Sequence, residues 1–235
     1  MTLVAIHQPN FLPWLGYFDK IRRAQAFILL DDVQFQKTGA TWTNRVQVLV
    51  AGAPAWLTVP VVRAFHGTRA ISEIEIDDRS PWRDKLLRTV ELNYRRAPHF
   101  DAVYTWIAPL IKNQVKSLVE LNVQAIRAAT AALGLENVLV LSSSVNVQSR
   151  ATDRLVELVR AVGGDAYLAG GGAQGYQEDH LFREAGISLV YQEFEHPKYP
   201  QHGASQFVPG LSIVDAFMNC GFAGTAELLH QGRPA

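Results

Sequence analysis

Short apolar runs alternate with helix-length segments through the C-terminal half of the chain, and that order most constrains the fold. Val138 to Leu141 reads as a strand, Thr152 to Val162 as a helix and Ala166 to Ala169 as a strand. Asp179 to Ala185 then reads as a helix and Ser188 to Phe194 as a strand. Strands separated by helices join as parallel βαβ units with short right-handed crossovers. The N-terminus begins the same way, with a strand at 2–6, an aromatic loop, a short helix near Phe18 to Ala24 and a strand at 27–31. The expected class is therefore α/β, a mainly parallel sheet with flanking helices.

Between these regions the period changes. Arg45 to Val50 and Ala55 to Val61 alternate around Ala51-Gly52-Ala53-Pro54, which predicts a hairpin, and Ile71, Ile74 and Ile76 suggest one more strand. A small antiparallel hairpin insertion is expected over about 45–78. Arg83 to Tyr94 carries Leu86, Leu87 and Val90 at helical spacing, and residues 105 to 133 read as helix, with Pro109 at a start or kink and Gly134 as the stop. This gives a central helical segment over about 83–133. Ser212 and Asp215 have the spacing of a capping box for a last helix that ends before Gly221. With 235 residues and 48% hydrophobic content, the chain can bury one large core, so a single domain over 1–235 is expected.

The 22 Lys and Arg balance 22 Asp and Glu, and no basic block exceeds two residues, which disfavours DNA as a partner. Nowhere does an apolar run reach the roughly 18 residues of a membrane span, and the N-terminus lacks a charged start and apolar core. No membrane span and a cytoplasmic location are the expectations. The single cysteine, Cys220, excludes an internal disulfide and any multi-thiolate metal site, and its apolar neighbours Phe217 and Met218 read as packing.

Open parallel sheets bind ligands beyond the carboxyl ends of their strands, and several polar clusters fall there. His7 follows the first strand and precedes a loop stiffened by Pro9 and Pro13. Near neutral pH an imidazole serves as base, acid or hydrogen-bond donor. Asp31-Asp32 follows the second strand, with Asp32 the better choice to face a ligand, and leads into a donor-rich segment with Gln34, Lys37, Asn44 and Arg45. Gly170-Gly171-Gly172 follows a later strand and offers bare N–H groups to an anion, without the spacing of a P-loop or dinucleotide fingerprint. His196-Pro197-Lys198-Tyr199-Pro200-Gln201-His202 pairs two histidines with two prolines, as around His7. No H-x-x-x-H or H-E-x-x-H spacing supports a metal, and none is expected.

The segments HQPNFLPWLGYFDKI at 7–21, LLDDVQFQK at 29–37, TNR at 43–45 and NY at 93–94 resemble the WbqC-like family of bacterial proteins. So do ATDRL at 151–155, HPKYPQ at 196–201 and LSIVDAFMNCG at 211–221. One departure is YLAGGGAQGYQED from Tyr167, which lacks the lysine of the family's usual segment and puts a phosphate role there in doubt. The resemblance implies association with O-antigen and other surface-polysaccharide gene clusters, and transfer of glycine or a similar acyl unit to amino sugars. It then implies His7 as base, Asp32 orienting an amine or imidazole, and His196 or Tyr199 relaying a proton. Asn44 and Arg45 would contact phosphate or the oxyanion, and Gln8, Gln34, Lys37, Gly170 and Gly171 would contact substrate. No cofactor is required beyond an activated acyl donor, whether carrier-protein thioester, coenzyme A ester or aminoacyl-tRNA. The partners implied are an amino sugar or nucleotide sugar and an acyl carrier protein; separately, the aromatic segment near Trp42 and the hairpin insertion at 45–61 are the expected surface of a homodimer. Two alternatives stand beside it. One is a nucleotidylyltransferase-like enzyme binding ATP, from the strand, His loop and helix of the first unit. The other is a non-catalytic module binding nucleotide sugar or carrier protein.

Overall fold

The computed structural model describes residues 1–37, 41–171 and 177–231. In chain order, β1 (Leu3–His7), α1 (Leu15–Arg23) and β2 (Ala26–Leu29) precede a hairpin of β3 (Arg45–Val50) and β4 (Ala53–Thr58). Three helices follow, α2 (Trp82–Tyr94), α3 (Phe100–Lys112) and α4 (Leu118–Ala132). The last part runs β5 (Val138–Leu141), α5 (Ala151–Ala161), β6 (Ala166–Ala169), α6 (Asp179–Glu184), β7 (Ser188–Tyr191) and α7 (Ile213–Gln231). Five strands form one parallel sheet in the order β5-β2-β1-β6-β7, and β3 pairs β4 in a separate antiparallel ladder. The class is the α/β one expected, with its hairpin insertion and central helices.

Both faces of the sheet are covered, and the sequence shows why. Every residue of β2 and β6 is buried, so these strands are continuous apolar runs rather than alternating ones. Along β1 the side chains still divide by the period of two. Ala5 joins Phe27, Leu29 and Leu168 in the large core shared with α1 to α4 and α7. Val4 and Ile6 join Ile28, Tyr167 and Ala169 under Val156, Val159 and Phe182 of α5 and α6.

The loop after β1 is held from below. Asn122 of α4, fully buried, donates through Nδ2 to the carbonyls of Pro9 and Thr43, both at 2.7 Å, and Phe11 N donates to the Trp42 carbonyl at 3.1 Å. A proline loop with no ladder of its own is thereby fixed to the central helices and to the segment that enters β3.

Four expectations change in the structure. Ile71 and Ile74 belong to no sheet strand. They flank a single 3-10 turn over Ile71–Glu73, where a spacing of three puts both on the buried side, and Ile76 makes only an isolated bridge to Val61. The helix foreseen over 105 to 133 is two, broken after Asn113 and restarted by Ser117, whose Oγ accepts from Glu120 N at 3.3 Å; Pro109 lies inside the first. The hairpin loop is only Ala51-Gly52, both at positive φ (50° and 80°), so Ala53 and Pro54 already belong to β4. Ser212 does cap α7, accepting from Val214 N at 3.2 Å, but Asp215 turns away from the capping box to join a buried network. α7 breaks at Gly221 (φ 70°, ψ 177°) as expected, then continues to Gln231. Among the described residues no helix is long and apolar enough to cross a membrane.

Candidate functional site

From β1 the chain steps outward to β2 and β5, then returns to the opposite side of β1 to lay down β6 and β7. Connections therefore diverge between β1 and β6, which makes their carboxyl ends the topological switch point where open α/β sheets bind ligands. A cavity of about 260 Å³ lies there, lined by His7, Lys20, Gly170, Gly171, Gln192 and His196 and walled by Trp14, Gly16, Tyr17 and Phe194.

His7 is the last residue of β1. Its Nδ1 lies 3.1 Å from the Gln8 carbonyl, and the rings of Tyr17 and Trp14 stand edge-on at 4.9 and 5.8 Å. In the tautomer with the proton on Nδ1, that nitrogen donates to Gln8 and Nε2 is left as an acceptor. The imidazole keeps some solvent contact through the cavity. Burial nevertheless pushes its pKa down to about 3, aided by the charge on Lys20 and opposed by the Gln8 bond. His7 is thus neutral throughout the physiological range.

Lys20 is the residue that sequence reasoning missed. It is 3% exposed, its Nζ donates to the Ile6 carbonyl at 3.1 Å, and burial pushes its pKa down to about 7. Among the described residues it forms no ion pair with a carboxylate. Its neighbour Asp19 is held instead by Arg22 at 2.9 Å and by Gln192 Nε2 at 2.9 Å. An ammonium that ionises near neutrality exists in both forms where an enzyme works, which suits nucleophilic or acid–base chemistry. In the folded chain α1 is buried without interruption from Leu15 to Ile21, so Asp19 and Lys20 have no solvent face to occupy, and no local sequence signal shows this.

The amino end of α1 opens on the cavity without a side-chain cap or an acidic residue in its first turn, which leaves the helix dipole available to a negative group. Gly16 is the pinch point. A Cβ there would lie 2.8 Å from Trp14 Nε1 and 2.9 Å from Phe194 Cδ1. The exchange Gly16→Ala is expected to push the two rings apart into the cavity and to weaken ligand binding about tenfold, while thermal stability falls by only ~1 kcal/mol, because shifting packed rings costs roughly this much. Calorimetric titration beside a melting curve checks it.

The other sequence-derived residues scatter. His196 reaches the cavity, its ring 5.2 Å from Phe194 and its pKa lowered by burial. Gln8 supplies its carbonyl to Tyr17 Oη at 3.0 Å as well as to His7, and its side chain reaches Thr43 at 3.4 Å. Asp32 does not line the cavity. Its carboxylate accepts from Ser142 Oγ at 2.6 Å and pairs with Arg154, because its strand end faces β5 rather than β6. Asp31 accepts from Ser143 N at 2.9 Å and Ser143 Oγ at 2.7 Å.

Gln34 is exposed, and Lys37 donates to the Phe65 carbonyl at 2.6 Å over the Phe65 ring. Asn44 is buried and donates to the Val59 carbonyl at 2.9 Å, while Arg45 stacks on Trp56. Tyr199 also stands outside the cavity, its hydroxyl donating to Asp215 at 2.8 Å. Of the glycine run only Gly170 and Gly171 lie in the site; Gly172 to Tyr176 are outside the described residues. Among the described residues no group of three or more His, Cys, Asp or Glu is placed to hold a metal ion.

The model of the WbqC-like protein family matches residues 8–227. The uncharacterized protein Rv1507c of Mycobacterium tuberculosis (strain ATCC 25618 / H37Rv) is 31% identical over 222 residues, covering 94% of this chain and 95% of that protein. No solved structure matches the chain.

Proposed function

The chain belongs to the WbqC-like protein family, and from the cavity at the β1–β6 switch point we propose that it transfers an acyl or aminoacyl unit to the amine of an amino sugar in surface-polysaccharide or related biosynthesis. The supporting observation is Lys20, a buried amine in the cavity wall that ionises near neutral pH. In aminolysis the attacking nitrogen forms the new C–N bond, the C–S or C–O bond to the donor breaks, and the nitrogen loses one proton. Neutral Lys20 takes that proton and, as the ammonium, returns it to the leaving thiolate or alkoxide.

His7 has a different part. An imidazole held down to about 3 keeps a proton poorly, so it acts as a hydrogen-bond acceptor that orients the amine rather than as the base. The uncapped amino end of α1 and the backbone of Gly170 and Gly171 line the cavity, which supports a role for them in receiving the developing oxyanion or a substrate phosphate.

A second reading has one observation in its favour. The same helix end would accept the phosphates of ATP in a nucleotidylyltransferase-like enzyme. Incubation with coenzyme A thioesters, aminoacyl donors and UDP- or dTDP-amino sugars, followed by mass spectrometry, is expected to yield an N-acylated sugar. His7→Ala is expected to cut the rate about 10²-fold without unfolding the protein. A His7→Ala enzyme of full activity, or AMP transfer from ATP with no acyl product, would overturn the proposal.

A further inference from the structure

Gln192 joins the cavity wall from the position just after β7, where its backbone N–H donates to the Ala169 carbonyl at 2.8 Å and carries the sheet one pair beyond the strand. Its side chain is oriented by what it meets. Nε2 lies 2.8 Å from the Gly16 carbonyl and 2.9 Å from Asp19 Oδ2, a carbonyl and a carboxylate that accept hydrogen bonds. Both N–H bonds of the amide are spent on that side, and Asp19 is itself held by Arg22 at 2.9 Å and Arg23 at 3.8 Å. The amide therefore has one orientation, with its carbonyl oxygen turned the other way.

That oxygen, Oε1, meets no donor among the described residues and is not sealed in the interior, so it opens on the cavity that Gln192 lines. The wall thus divides by kind. Lys20 and the amino end of α1 supply donors, and His7 Nε2 and Gln192 Oε1 supply acceptors. In a cavity of about 260 Å³ both sets reach one small ligand. The two acceptors differ in one respect: an amide oxygen takes a hydrogen bond and never the proton itself.

An attacking primary amine has two N–H bonds, of which one proton leaves and the other stays on the amide product. We infer that Gln192 selects the acceptor: its Oε1 holds the N–H that stays, and His7 and Lys20 are left to orient and remove the proton that leaves. This rests on the transfer reading for the cavity, and it narrows the acceptor to a primary amine. A hydroxyl in the same place has a single proton, the one that must leave, and gives Gln192 nothing to accept. A site whose polar group is left unpaired by the wrong substrate discriminates more sharply than one that differs only in shape.

The test compares glucosamine with glucose, which differ by an amine in place of one hydroxyl, in titrations of tryptophan fluorescence with Trp14 in the wall as reporter. At about pH 9 Lys20 and a sugar amine are both uncharged, so charge favours neither sugar. The wild-type protein is expected to bind glucosamine about tenfold more tightly, the equivalent of one hydrogen bond to a group otherwise unpaired. Gln192→Met keeps the length of the side chain and loses the acceptor. It is expected to weaken glucosamine about tenfold and to leave glucose unchanged, whereas a loss of packing alone would lower both; melting curves report the fold. Equal affinities in the wild type would overturn the inference whether or not the variant folds. So would a preference for glucosamine that survives in Gln192→Met, or a response to neither sugar. A preference that depends on Gln192, in a protein that acylates no amine, would uphold the acceptor and remove the transfer reading alone.

Discussion

Lys20→Met is expected to abolish acyl transfer, lowering turnover by about 10²–10⁴-fold, the range supplied by a positioned proton acceptor. Lys20→Arg should fail almost as completely. It keeps the positive charge, but a guanidinium does not release its proton in a protein, so the comparison isolates proton transfer from charge. Wild-type turnover should rise with pH as Lys20 loses its proton near 7 and then level off.

Stability should move in a related way. Below pH 7 Lys20 is protonated in both folded and unfolded chains. Between about 7 and its ordinary value of 10.5 the unfolded chain holds the extra proton, so stability attributable to Lys20 rises with pH across that window. The Met variant lacks this dependence, and its advantage over wild type should be greatest at pH 6 and shrink toward pH 10. His7 works the same way at lower pH. With a folded value near 3 against 6.5, its contribution falls as pH drops from 6.5 toward 3. Chemical denaturation at several pH values reads both effects.

The largest structural effect is expected from Asp215→Ala. The Asp215 carboxylate is fully buried and accepts from Tyr94 Oη at 2.7 Å, Tyr199 Oη at 2.8 Å and Gln201 Nε2 at 3.1 Å. Tyr94 Oη in turn accepts from Leu49 N at 2.9 Å, and Gln201 clasps the backbone of Val208 at 2.7 and 2.9 Å. One side chain thereby joins α7 to α2, to β3 and to the segment that carries His196. Removing it leaves the hydroxyl protons of Tyr94 and Tyr199 and one N–H of Gln201 without an acceptor, at about 1–3 kcal/mol for each buried donor left unpaired. A loss of about 3–5 kcal/mol is expected, against a total of about 5–15 for a typical domain. Asp215→Asn, which keeps an acceptor oxygen, should lose less than half as much. Urea unfolding of the three proteins decides this.

The parallel sheet was legible because it depends on local pattern. Val138 to Leu141 and Ala166 to Ala169 are strands over the very residues expected, since short apolar runs between helices have no other way to be buried. His7, Gly170, Gly171 and His196 meet in one cavity because they follow strands that lie parallel, and strand ends can be read from sequence.

What remained hidden depends on distant partners. Asp32 and Arg154 are 122 positions apart, and Tyr94 and Asp215 are 121 apart, so nothing near either residue shows that its charge or hydroxyl is already taken. Lys20 sat in an ordinary helical stretch, and only the packing of α1 on every side reveals a buried amine. Ile71, Ile74 and Ile76 mimicked a strand because a one-turn 3-10 helix and a strand both yield closely spaced buried positions in so short a segment.

The most direct test of the account is the pH dependence of labelling at Lys20. The folded protein is treated briefly with a lysine-acylating reagent at pH 5 to 11, and modification at Lys20 is quantified by peptide mass spectrometry beside an exposed lysine such as Lys85. The expected Lys20 curve has its midpoint near 7, well below the ordinary lysine value of 10.5, and is suppressed by a bound amino-sugar nucleotide. A Lys20 midpoint near the ordinary 10.5, unchanged by any such ligand, would contradict it.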